Sequence, residues 1–261
     1  MNQKPKAISR KQMTDAELSD DVLYCGYKIP TAQAASKRAA RLYATSLSEN
    51  TERLPWCLGG SECGLLSCPR CRWRAQHIFI AQMLPVIRAE RGAALWSSIT
   101  IIPEFGVMVA CKLPRSGLRG FKDQICAAMR KMAPDAVGVF CIDISLERNL
   151  GQREFLQLHV HGIIRDLSAD ECNRICRRFA WQKDSSCYRP VQTEPVYDSF
   201  GQLAYMSKPQ FFRRDQYTNA KGKLQHQKKI MSFEQEFQLV KALSAFKAQQ
   251  RIFYLGMQPL K

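Results

Sequence analysis

The 261-residue chain lacks any run of about eighteen apolar residues, the length that a membrane-spanning helix needs. Its opening residues, Met1 to Arg10, are polar and basic and contain no apolar core of the secretory-signal kind. Both absences lead to the expectation of a cytoplasmic protein with no membrane partner. Internal repeats are also missing. Acidic residues are in short supply, with 23 Asp and Glu against 39 Lys and Arg, and the formal net charge is +16. A field of that sign attracts polyanions, nucleic acid first and acidic membrane surface second. Histidine is scarce: there are four, and two of them stand two positions apart.

Cysteine is not scarce, but it is uneven. Of eleven cysteines, Cys57, Cys63, Cys68 and Cys71 are crowded in a C-x5-C-x4-C-x2-C pattern, and the others are scattered through apolar segments. In a reducing compartment such a cluster reads as metal binding and the scattered thiols as core. The closing Cys-Pro-Arg-Cys has zinc-knuckle spacing, whereas the first pair is spaced more widely than usual. A structural Zn2+ held by four thiolates is expected, with Cys25 or His77 as possible replacements for Cys57.

The order of hydrophobic patterns divides the chain into four parts. Residues 1–54 form a basic accessory region with an Ala-rich helix at 31–47. Residues 55–92 hold the cysteine-rich segment and a helix over 73–88, perturbed at Pro85. Residues 93–210 carry a strand at 95–102, a helix at 117–132, strands at 137–148 and 153–165, a helix at 168–181, a strand at 189–196 and a helix at 198–207. Ser168 with Glu171 forms a capping box, and Asp198 caps the last helix. Residues 211–261 comprise a basic stretch and a helix over 232–250. The order β-α-β-β-α-β predicts an α+β, ferredoxin-like antiparallel sheet with helices on one face and the other face open to substrate.

The most informative segment is Leu156-Gln-Leu-His-Val-His-Gly-Ile-Ile164. Alternate side chains of a strand share a face, so Gln157, His159 and His161 oppose Leu156, Leu158 and Val160. The preceding strand splits likewise into Phe140, Ile142, Ile144 and Leu146 on one face and Cys141, Asp143, Ser145 and Glu147 on the other. Joining two apolar faces in one core requires an odd-length loop, for which Leu150-Gly151-Gln152 is a natural three-residue turn. That register sets Asp143 opposite His159 and Cys141 opposite His161. Two imidazoles and a carboxylate then converge as a metal site, with Glu147 or Glu154 as alternative carboxylates. Downstream, Tyr205 and Lys208 in AYMSKP lie three apart and share one side of a helix.

With LQLHVHGII, AYMSKP and the strand SSITI, residues 57–208 resemble the HUH endonucleases, in particular the rolling-circle replication initiators of plasmids and phages. The segment ending CPRCRWR is similar to a cysteine-rich stretch found upstream of the catalytic domain in some plasmid initiators. The resemblance implies metal ligation by His159 and His161 and attack on a phosphodiester by Tyr205. Asp143 stands where many members place a glutamate. It also implies Mg2+ or Mn2+ at the catalytic site, a 5′-phosphotyrosine product and a free 3′-hydroxyl. Lys208 would stabilise the phenolate or the phosphate. The implied partner is single-stranded or hairpin origin DNA, with host helicase and polymerase as further partners. Arg213, Arg214, Lys221, Lys223, Lys228 and Lys229 are candidate contacts to the DNA backbone, and Phe211, Phe212 and Tyr217 candidate stacking residues. Alternatives are a transposase or relaxase of the same type, a non-catalytic zinc-containing DNA-binding protein, and an iron oxygenase using two histidines and one carboxylate.

Overall fold

A computed structural model describes residues 32–48, 57, 62–90, 94–109, 117–149, 154–181 and 189–257. Its elements are α1 (Ala32–Ser48), α2 (Pro69–Ala89), β1 (Trp96–Ile101), β2 (Val107–Val109), α3 (Gly117–Met132), β3 (Val137–Arg148), β4 (Phe155–Arg165), α4 (Ala169–Arg178), β5 (Val191–Pro195), α5 (Ser199–Met206), β6 (Phe212–Thr218), β7 (Leu224–Ile230), α6 (Phe233–Leu243) and β8 (Ile252–Leu255). The start of the accessory region, including Cys25, and the turn at Leu150-Gly151-Gln152 lie outside the described residues.

The alternation in β3 and β4 fixes the centre of the sheet. They pair antiparallel with Asp143 opposite His159 and Cys141 opposite His161, the register that the two apolar faces require. The even-numbered face, with Phe140, Ile142, Ile144, Leu158 and Val160, packs against Leu118, Phe121, Ile125 and Met129 of α3 and Ile175 of α4. The Ser168–Glu171 capping box and the Asp198 cap both form, which sets the starts of α4 and α5. Helix α4 ends at Arg178, three residues earlier than expected, with Phe179 turning into the core.

The sheet runs β5-β1-β4-β3-β6-β7, with β2 added to β4 and β8 to β3. Strands β5, β1, β4 and β3 are antiparallel throughout. The expectation of a wholly antiparallel sheet fails at β6, which pairs parallel with the far end of β3. After α5 the chain re-enters beside β3 running in the same direction, so the molecule is α+β with a mixed sheet of eight strands. The open face also needs correction. At one end, odd-numbered Val139, Cys141 and Ile163 are apolar and must be covered, and α2 and α5 cover them with Phe79, Ile80, Met83, Ile87, Phe200 and Leu203. Helices therefore flank both faces, and among the described residues the polar end of the odd-numbered face lacks one.

Three further departures are local. Helix α2 starts at Pro69 rather than 73, because Cys68 serves as its N-cap and proline is well suited to the first turn. It then continues through Pro85 without a break. The expected 232–250 helix stops at Leu243; a 3-10 turn at Ala248–Arg251 leads into β8, whose Phe253 and Leu255 face the main core. The basic stretch is a two-stranded ribbon, β6–β7, turning at Asn219 to Gly222, where Gly222 takes φ +72°.

Candidate metal centre and nucleophile

The polar end of the odd-numbered face begins with Asp143 on β3 and His159 and His161 on β4. One nitrogen, one nitrogen and one oxygen from these three side chains lie within 4.8 Å of one another. His159 Nε2 is 3.0 Å and His161 Nε2 3.5 Å from Asp143 Oδ2. Thr100 of β1, directly across from His161, sits 2.9 Å from its Nδ1 and fixes the ring, the kind of outer contact that orients a metal-bound imidazole. All three side chains are buried, yet Asp143 Oδ1, His159 Nδ1 and His161 Nε2 have no hydrogen-bond partner among the described residues. Unfilled buried polar atoms of this kind call for a ligand. A pair of imidazoles with a carboxylate fits a divalent ion.

Electrostatics prepare the group for that role. Burial pushes both imidazoles below their ordinary value, His161 to about 4, so both are neutral at pH 7 and keep a nitrogen lone pair. Burial would raise the Asp143 carboxyl, but the Lys208 ammonium and the two histidines reverse this and hold it well below the usual carboxylate range. Lys208 Nζ donates directly to Asp143 Oδ2. The same ammonium lies 4.7 Å from the Tyr205 ring centre, and that ring meets His161 edge-on at 5.0 Å. Tyr205 is 43% exposed, so it borders the buried group while facing solvent.

Helix α5 holds this tyrosine through its apolar face, Phe200, Leu203 and Ala204, which is buried as expected. Two residues without any sequence signal anchor its end. Gln76 of α2 donates to the Ala204 carbonyl at 2.9 Å, and buried Arg251 donates to the carbonyls of Ser207 and Lys208 at 2.5 and 2.9 Å. Thr100 had a partial signal, since Ser98 and Thr100 are the polar alternates of β1. The alternative carboxylates do not join. Glu147 lies four residues along β3 and accepts from Ser145, while Glu154 accepts from Gln235. Cys141 is a fully buried core thiol, raised by burial.

The four clustered cysteines form a second centre. Their sulfurs lie 3.2 Å (Cys57–Cys71), 3.4 Å (Cys57–Cys63), 3.6 Å (Cys63–Cys71) and 3.7 Å (Cys57–Cys68) apart. A tetrahedron with Zn–S bonds of about 2.3 Å has edges of roughly 3.8 Å, so the cluster can hold a metal such as zinc. Backbone N–H groups of Cys63 and Gly64 donate to Cys57 and Cys71 sulfurs, and Gly64 reaches that position at φ +68°. Hydrogen bonding with Cys68 pushes the Cys63 thiol up to about 12, while Cys63 and Cys71 pull Cys68 down, so one thiolate forms readily and its neighbours resist. A cation would remove that conflict. His77 is no substitute ligand; its Nδ1 lies 2.8 Å from the Trp73 carbonyl and its ring packs on Trp73.

The basic candidates divide. Arg213 and Lys229 both pair with Asp215, at 2.8 and 3.0 Å, and Lys228 lies 3.8 Å over the Phe212 ring. Arg214 lies 4.0 Å from Glu147. Lys221 and Lys223 are exposed at the ribbon tip. Of the stacking candidates, Phe211 is core, Phe212 is half-buried and Tyr217 is exposed on the ribbon. No helix among the described residues is long and apolar enough to cross a membrane. No family model, curated protein or solved structure matches this chain.

Proposed function

We propose that this protein is a divalent-metal-dependent DNA nicking and joining enzyme of the HUH type, acting as a rolling-circle replication initiator through Tyr205. The observation that carries the reading is the convergence of Asp143, His159 and His161 with Tyr205 packed on His161 and Lys208 bonded to Asp143. The strand order β5-β1-β4-β3, with α3 and α4 on one face, supports the split-βαβ arrangement of the ferredoxin-like sheet.

Chemically, His159, His161 and Asp143 would hold Mg2+ or Mn2+, which when bound polarises the scissile phosphate and orients it for in-line displacement. Tyr205 supplies the nucleophile. Its oxygen forms a bond to phosphorus as the bond to the 3′-oxygen breaks, and the phenol proton passes to solvent while the leaving oxygen takes one up. A neutral phenol is a weak nucleophile, and the Lys208 ammonium, 4.7 Å from the ring centre, stands where it can offset negative charge on the phosphate. Neutral histidines and an ionised Asp143 require no proton movement before an ion binds. The phosphotyrosine bond conserves the phosphodiester, so a 3′-hydroxyl can reverse the step. Incubation with Mn2+ and single-stranded DNA should yield a covalent protein–DNA adduct that Tyr205→Phe abolishes; an undiminished adduct in that variant would reject Tyr205.

One observation favours a second reading. The Lys208–Asp143 bond satisfies that carboxylate oxygen within the chain, as in a buried ion-pair network of a non-catalytic zinc-containing DNA-binding protein. That protein would bind the oligonucleotide without ever cleaving it.

A further inference from the structure

The polar face continues beyond the histidines. Four residues past Asp143, about 13 Å along the strand, Glu147 borders a cavity of about 280 Å³ shared by the end of β5, the β6–β7 ribbon and Trp181. Glu147 is 5% exposed. Its Oε1 accepts from Ser145 and lies 4.0 Å from Arg214 Nε, while its Oε2 has no partner among the described residues. That oxygen is not one of the sealed unpartnered atoms among the described residues, so it is open to a donor that enters the cavity.

The remaining walls narrow the choice of donor. Trp181 is pinned by its indole N–H, which donates to the Ile102 carbonyl at 2.5 Å. The Gln157 side-chain NH2 is engaged by the carbonyls of Pro103 and Leu158, and the lining also includes Phe155, Arg189, Gln192, Gln225 and His226. Two flat rings, side-chain amides and one carboxylate suit a planar heterocycle. Arg189 and Arg214 line the cavity together with Glu147, and the carboxylate distinguishes it from a purely basic anion site. The volume lies just under the roughly 300 Å³ at which ligand pockets begin, the scale of a small planar group.

We propose that this cavity receives one unstacked base of the bound strand and selects guanine. The proposal rests on the DNA-nicking reading above and extends it to sequence choice. Guanine presents N1–H and N2–H side by side, and a carboxylate accepts both; its O6 accepts from the guanidinium of Arg214. Adenine and cytosine place a ring acceptor next to their single amino group, which repels the carboxylate. Thymine flanks its one N–H with two carbonyls.

The test uses the full chain carrying Tyr205→Phe, which cannot form the adduct, titrated calorimetrically with dGMP, dAMP, dCMP and TMP. The expected result is dGMP binding at least about tenfold tighter than the other three. Deoxyinosine monophosphate, which lacks only the N2 amino group, should lose most of that advantage in the same Tyr205→Phe protein, with no second substitution needed. Adding Glu147→Gln should bring dGMP to the level of the others, with circular dichroism showing that the variant is folded. Equal affinities for all four, no binding at millimolar dGMP, or a preference unchanged by Glu147→Gln would each overturn the pocket. Adduct formation by the Tyr205 protein is measured separately. An adduct without base preference removes the pocket alone, and guanine selection without an adduct removes the nicking reading alone.

Discussion

His159 and His161 each carry a stability cost that pH exposes. Burial holds both below their ordinary value in the folded chain, whereas in the unfolded chain they titrate near 6.5. Between about 6.5 and those lower values the unfolded state binds more protons, so stability falls as pH falls. Metal-free protein should therefore lose Tm between pH 7 and pH 5, and the loss should shrink in the His159→Gln/His161→Gln variant. Equal losses in both proteins would clear the histidines of responsibility. Asp143 acts in the same direction at more acidic pH, since its depressed carboxyl supports stability that is lost as pH drops through its folded value. The placement of these three residues was legible because a two-residue period leaves one register that joins both apolar faces. Thr100 was half legible for the same reason. Gln76 and Arg251 were not legible, because a hydrogen bond to a carbonyl more than forty residues away leaves no local pattern.

At the scale of elements, long regular patterns translated well and short or polar ones did not. Helices α3 and α4 and strands β3 and β4 have periodic apolar faces, and their cores match. Strand β8 has four residues, too few to separate a strand from the tail of the preceding helix by periodicity. Ribbon β6–β7 is polar on most positions, with every residue of β7 exposed, so its pairing left no hydrophobic trace. Charged side chains on that outer strand also guard an open sheet edge. The end of α5 depends on contacts rather than on its own sequence. Arg251→Met keeps the stem but leaves the Ser207 and Lys208 carbonyls without donors, so chemical denaturation should show a loss of about 2–4 kcal/mol. A loss below about 1 kcal/mol would mean that Arg251 only fills space. If the proposed nicking activity is present, it should fall further than DNA affinity in this variant, because Tyr205 and Lys208 lose their footing.

For the whole molecule, the excess of positive charge is unevenly available. Asp215 engages Arg213 and Lys229, whereas the ribbon tip projects Lys221 and Lys223 into solvent. Each lysine that neutralises a phosphate of a single strand contributes about 0.7 to the slope of log affinity against log salt. Lys221→Ala/Lys223→Ala should therefore flatten that slope by about 1.4. An unchanged slope would place the strand elsewhere. Such a distribution was only partly readable, since net charge gives the sign of the field and the ion pairs decide which side chains remain exposed.

Helix α2 joins two chemistries that share no atoms. It opens on Cys68 and Cys71, and about 7.5 Å further along its axis Gln76 grips the backbone of Ala204, next to Tyr205. The rod has its footing in sulfur and its grip beside a phenol. The segment that carries the thiols thus also carries the amide that holds the backbone beside that phenol.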